Sequence, residues 1–143
     1  MNSRLRVLAL VSISLLTLSG LSACYEMGDI QDIAACQTFA AAQTAYDTSA
    51  NDAMAHPDDK AKQVQWLGSW TLFSSGIDAA SKIPTTQSLK TLLSTYAKTV
   101  TDAGLGSSPS TQISIWKSGM ATKTVKLCNE LAAPITITHL NVK

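Results

Sequence analysis

The four prolines, Pro57, Pro84, Pro109 and Pro134, are what most limits how this chain folds. Proline cannot continue a helix interior, and the residue before it avoids helical geometry. Between these punctuation points the apolar residues recur at helical spacing. A first helix can begin at Asp29, a good N-cap residue with Asp32 three positions on. It carries Ile33, Cys36, Phe39, Ala40, Tyr46, Ala50 and Met54 and ends near Ala55. A second opens after His56, with Pro57 in its first turn and Asp58 and Asp59 at the positive end of its dipole. Its face is Val64, Leu67, Trp70, Ser74 and Ile77, widened by Trp66 and Phe73, and it stops near Lys82 ahead of Pro84. Thr85 or Thr86 caps a third, with Leu89, Leu92, Leu93, Tyr96, Val100 and Ala103 on one face and Gly104 as its C′ residue. After the loop Leu105–Pro109, Ser110 or Thr111 caps a fourth, which shows Ile113, Trp116, Met120, Leu127 and Leu131 and ends before Pro134. Gly119 within it reads as a point of close contact.

Four amphipathic helices with short connections predict an all-α fold, an antiparallel four-helix bundle over residues 29–133. Residues 134–143 form a short tail. Its Ile135-Thr136-Ile137-Thr138 run is β-branched and alternating, which reads as extended. A lone strand has no partner in such a bundle. It therefore packs along the surface, moves freely, or adds to the sheet edge of a partner.

The N-terminus reads differently. Arg4 and Arg6 precede an apolar run from Val7 to Leu18, and no acid occurs before Glu26. That run is too short to span a bilayer, which takes roughly 20 apolar residues. A basic start, a short apolar core and small residues before a cleavage point make an export signal. Here the small residues lead into a cysteine, and Leu21-Ser22-Ala23-Cys24 resembles the lipobox of bacterial lipoprotein precursors. In that family the cysteine thiol receives a diacylglyceryl group and becomes the N-terminus after cleavage. The resemblance implies a signal peptide over 1–23, a lipidated tether over 24–28, and a protein held by Cys24 on the extracytoplasmic side of a cell membrane. Two or more acyl chains make such anchoring stable. The alternative is an ordinary secreted protein cut near Ala23. The Ala/Ser/Thr-rich, lysine-bearing helices are similar to small exported lipoproteins of actinobacteria and their phages.

With Cys24 assigned to lipid, two of the three cysteines remain, Cys36 and Cys128. An even pair in an exported domain reads as one disulfide. Cys36 lies about two turns into the first helix and Cys128 about one turn before the end of the fourth. Antiparallel neighbours place those levels at the same end of the bundle. Losing Arg4 and Arg6 with the signal leaves nine of the eleven basic residues against ten acidic ones. That balance gives no electrostatic case for nucleic acid or for a polybasic membrane patch.

Candidates for chemistry are few. His56 sits near Asp47, Asp52, Asp58 and Asp59, and histidine with carboxylates is a metal-ligand set. The acids have a simpler use as caps and dipole partners, and no HExxH spacing is present, so no metal or cofactor is expected. There is no Gly-x-Ser-x-Gly elbow, no phosphate loop and no Cys-x-x-Cys pair. Trp66 and Trp70 stack on one helical face with Phe73 beside them, and Trp116 completes the cluster. Such a stripe is either core or an exposed aromatic site for a partner.

The expectation is a membrane-anchored envelope lipoprotein that binds another envelope or surface protein and is not an enzyme. A prophage-type lipoprotein that excludes superinfecting phage is one version. A small-ligand or lipid carrier is the alternative and needs an apolar cavity between helices. A metal-dependent enzyme is a third and needs His56 to converge with Asp52, Asp58 or Asp59.

Overall fold

A computed structural model describes residues 27–131 and 133–141, with side chains from Ile30 onward. The signal segment 1–23, the lipobox with Cys24, and tether residues 25–26 lie outside the described residues. The chain forms α1 (Met27–Ala55), α2 (Lys60–Ser81), α3 (Gln87–Ala103), α4 (Pro109–Lys117) and α5 (Met120–Glu130), with no strand among the described residues. The fold is a helical bundle. None of these helices is long and apolar enough to cross a membrane.

Cap residues explain where the helices start, and three of them differ from expectation. Asp29 lies inside α1 and does not cap it. Asp32 is buried and serves another helix: its Oδ1 accepts from the backbone N–H groups of Thr85 (2.9 Å) and Thr86 (3.2 Å), and its Oδ2 from the Thr86 hydroxyl. Thr86, the N-cap of α3, therefore spends its hydroxyl on α1. The α2 cap is Asp59, whose Oδ1 accepts from Ala61 N (3.0 Å) and Lys62 N (3.3 Å), so Pro57 and Asp58 stay in the turn. Ser108 caps α4 by accepting from Thr111 N at 3.3 Å, which makes Pro109 the first helical residue. Proline suits that position because its missing N–H would be unbonded there anyway.

The expected fourth helix is two. Gly119 takes φ +76°, a left-handed conformation that ends α4 and starts α5. A Cβ added at Gly119 would meet nothing within 4 Å, so backbone conformation and not close packing calls for glycine here. The close approach is at Gly76, where an added Cβ would lie 2.5 Å from the Ala42 Cβ.

Gln63 bonds the Ala53 carbonyl beside the α1–α2 turn, and Gly76 faces Ala42 further along, so α2 runs back along α1. Asp32 meets Thr86 and Gln43 meets Tyr96, which sets α3 in the direction of α1. Cys36 and Cys128 form the expected disulfide, with Cα atoms 5.8 Å apart across a separation of 92 residues. It fastens α5 to α1. The core between α1, α2 and α3 is a chain of touching rings: Tyr46 lies 4.9 Å from Phe73 and 5.4 Å from Trp70, and Tyr96 lies 5.9 Å from Phe73 and 6.3 Å from Phe39. Leu89, Leu93 and Val100 of α3 close it.

The tail follows the packing alternative. Ala133 N bonds the Cys128 carbonyl and Ile135 N bonds Asn129 Oδ1, turning the chain back toward α1. Leu140 is buried, and Ile135 and Ile137 are half-buried.

Two measurements test these roles. Replacing Cys36 and Cys128 by alanine removes a long cross-link, so the urea unfolding midpoint should fall by the equivalent of about 4–5 kcal/mol. Gly119→Ala should cost about 1 kcal/mol through its positive φ, by thermal unfolding, without moving the rest of the fold.

Candidate functional site

The aromatic residues expected to bind a partner are core. Trp66, Trp70 and Phe73 are buried, and Trp116 is half-buried against the core. Residues 66, 70, 73 and 77 form one stripe at helical spacing, and that stripe faces α1 and α3. Each indole N–H is satisfied inside: Trp66 Nε1 donates to the Tyr46 hydroxyl at 3.2 Å and Trp70 Nε1 to the Gly104 carbonyl at 3.0 Å. The buried line of α2 is thus rotated from the expected one. Val64 and Leu67, assigned to the inner face, are 69% and 41% exposed, and Leu72 is 75% exposed. The largest rings win the interior because they remove the most apolar area from water. No charged side chain occurs from Gln63 to Ile77, so the outer face of α2 is neutral over most of its length, with Val64, Leu67 and Leu72 exposed among Gln65, Thr71 and Ser75.

A chain of polar groups crosses the interior beside the rings, and periodicity alone gave no sign of it. Tyr96 donates to Gln43 Oε1 (2.9 Å) and Gln43 Nε2 donates to Asp47 Oδ1 (2.9 Å). Next to it, Tyr46 donates to Gln112 Oε1 (3.0 Å), and Gln112 Nε2 donates to the Ser107 carbonyl (2.9 Å). Gln43, Asp47 and Gln112 are all buried, and Asp47 Oδ2 finds no hydrogen-bond partner among the described residues. Burial raises the Asp47 carboxyl to about 7, only partly opposed by the Gln43 bond. Burial likewise pushes the Tyr46 and Tyr96 hydroxyls up, so both act as neutral donors. The sequence signal available was Gln43 and Asp47 on the inner stripe of α1, where a polar residue needs a buried partner.

His56 does meet one of its expected acids. Its Nδ1 lies 3.2 Å from Asp52 Oδ1 and 2.9 Å from the Asp52 carbonyl. Asp59 is engaged as the α2 cap. The third member of the cluster is Lys62, whose Nζ is 2.8 Å from Asp52 Oδ1 and 3.0 Å from His56 Nδ1. An ammonium thus stands where a metal would have to sit, and among the described residues no group of three His, Cys, Asp or Glu side chains is placed to hold one. The Lys62 bond holds the Asp52 carboxyl below its ordinary range. The cluster is solvent-exposed and ties the start of α2 to the end of α1.

The space between α1, α2 and α3 holds the buried rings of Phe39, Tyr46, Trp70, Phe73 and Tyr96. A shallow trough lies on the outer side of α3, lined by Gln87, Lys90, Thr91, Ser94, Thr95 and Lys98. It is open to solvent and encloses nothing, unlike the concave sites that bury most of a small ligand.

No protein-family model matches the chain, and no curated protein or solved structure matches it.

Asp47 sets a pH dependence. Its carboxyl binds protons more tightly in the folded chain (about 7) than in the unfolded one (3.8). The stability it contributes is therefore fully present below about pH 4 and is lost as pH rises to about 7, by at most about 4 kcal/mol. Urea titrations from pH 4 to pH 8 should show this fall, and Asp47→Asn should remove most of it.

Proposed function

We propose that this protein is a lipid-anchored protein of the cell envelope that binds another envelope protein through the outer face of α2. The observation that carries the proposal is Val64, Leu67 and Leu72 exposed together on a helix with no charge from Gln63 to Ile77. The outward side of a helix in a soluble bundle is ordinarily charged and polar. An exposed apolar stretch on such a helix marks a surface that another molecule covers.

The occupant that fits is a neutral, apolar helix of the partner. Val64, Gly68 and Leu72 are spaced i, i+4, i+8, the ridge along which helices pack. Gly68 leaves open space in the middle of that ridge, since an added Cβ there would meet nothing within 4 Å. A charged partner segment would lose its hydration against this face and gain no counter-charge.

The N-terminal features support the location. Arg4 and Arg6, the apolar run and Leu21-Ser22-Ala23-Cys24 are what an exported and lipidated chain carries. A disulfide between Cys36 and Cys128 suits an oxidising compartment. Met27, the first described residue of α1, is three residues after Cys24, so it would stand within about 11 Å of the anchored cysteine. The 29 residues of α1 then extend about 43 Å along the bundle.

The test is site-specific photo-cross-linking in envelopes, with the reactive group at residue 72 and, as a control, at Thr91 on the outer side of α3. One partner should cross-link from residue 72 and not from residue 91. Leu67→Glu should weaken its capture at least tenfold, about 1.4 kcal/mol, with helicity unchanged. Equal cross-linking from both positions, or unchanged capture by Leu67→Glu, would reject the α2 face as the binding surface.

A further inference from the structure

The tail and Asp47 stand in a relation that is independent of what α2 binds. The tail is bonded to α1 at two levels. Thr138 N donates to Thr44 Oγ1 at 3.4 Å. About two turns further on, Asn51 holds the tail from both sides: its Nδ2 donates to the His139 carbonyl and its Oδ1 accepts from Asn141 N, each at 2.8 Å. Thr44 lies three residues before Asp47 and Asn51 four after it. Residues at those spacings are neighbours on one side of a helix. The segment from Thr138 to Asn141, with Leu140 only 6% exposed, is thus fastened across the stripe of α1 to which Asp47 belongs.

No counter-charge waits for Asp47 in that place. Its neighbours on α1 are Gln43 and Tyr46, and the α3 group nearest the network is Tyr96. α2 brings no charged side chain between Lys62 and Asp78, and α4 brings Gln112, which is spent on Tyr46 and Ser107. The tail brings His139, an exposed residue held by its carbonyl. Asp47 takes part in no ion pair among the described residues, and its Oδ2 has no hydrogen bond.

We propose that the C-terminal tail is a proton-controlled strap, closed over α1 while Asp47 is protonated and opened when Asp47 gives its proton to solvent. An ionised carboxylate with an unpartnered oxygen has to be hydrated, and water reaches it only if something moves. The helices around it are held by the disulfide and the ring cluster. The strap is held by three hydrogen bonds to α1, the buried Leu140 and the half-buried Ile135 and Ile137, with no disulfide or ring contact, so it is the element that opens at least cost. Opening frees Ile135, Ile137 and Leu140 together, an extended apolar segment that the closed form keeps against the bundle. The coupling is reciprocal: if protons close the strap, the strap must raise the proton affinity of Asp47.

NMR on the disulfide-bonded chain tests this. The readouts are amide protection of Thr138 and Asn141, corrected for intrinsic exchange, and the Asp47 carboxyl shift. Between pH 5 and pH 8 protection should fall roughly ten- to a hundredfold, in step with the Asp47 titration. Asp47→Asn should keep the strap closed at both pH values. Leu140→Ala should loosen it and shift the Asp47 midpoint toward the ordinary carboxylate range. Protection that stays constant while Asp47 titrates would overturn the proposal, as would a pH response that survives in Asp47→Asn. Should Asp47→Asn fail to fold, an Asp47 midpoint unmoved by Leu140→Ala would overturn it alone.

Discussion

The bond between Cys36 and Cys128 is what the end of the chain, α5 and the tail, depends on most. α4 has 9 residues and α5 has 11. Helices of that length are marginal in water and persist only where packing holds them. Their break at Gly119 also denies them the mutual support of one continuous helix. The disulfide fixes α5 against α1, and the end of α5 then sets where the tail begins, through Ala133 N on the Cys128 carbonyl. From that point Thr44 and Asn51 lay the tail along α1. Without the cross-link α5 would rest on contacts of modest size such as Ala121, Thr124 and Leu127, and the tail on Leu140 and its bonds to Thr44 and Asn51.

The interior trades apolar economy for specified geometry. Tyr46, Tyr96, Gln43 and Gln112 could each be replaced by apolar groups only in pairs, because a lone buried donor or acceptor costs more than its bond returns. Together they fix which helix meets which: α3 to α1 through Tyr96, α4 to α1 through Tyr46, and α2 to α1 through Trp66 on the same Tyr46 hydroxyl. Asp47 is the member that remains incompletely satisfied, and it lies on α1 between Thr44 and Asn51, the two residues that hold the tail. The bundle thus has two surfaces of different character. α2 offers a fixed, largely neutral face, and α1 carries a removable cover.

Much of the fold was legible because its signals are local. Prolines and glycines mark the α1–α2, α2–α3 and α3–α4 turns, and the third helix follows its expected face through Leu89, Leu93, Tyr96 and Val100. The cysteine pair was legible from export and from level in the bundle. What periodicity could not resolve was competition. Val64 and Leu67 share the helical period of α2 with Trp66 and Trp70, and only three-dimensional packing decides that the rings go inside. Gly119 announces a special position without saying whether space or dihedral angle requires it. Asp32, Asn51 and Lys62 act on residues far along the chain or across a turn, where a sequence pattern carries no signal. The candidate site suffered most, since an aromatic stripe looks the same whether it faces a core or a partner.

Location is the claim from which the functional proposal proceeds, and one digest tests it. Trypsin leaves no cut between Cys24 and Lys60, and it releases Leu127–Lys143 as one peptide. Protein isolated from envelopes under non-reducing conditions should yield a single cross-linked species of these two peptides. It should begin at Cys24, carry a diacylglyceryl group there, and hold the Cys36–Cys128 bond. A Cys24 without lipid, a chain that retains Arg4 and Arg6, or free thiols at Cys36 and Cys128 would contradict the claim.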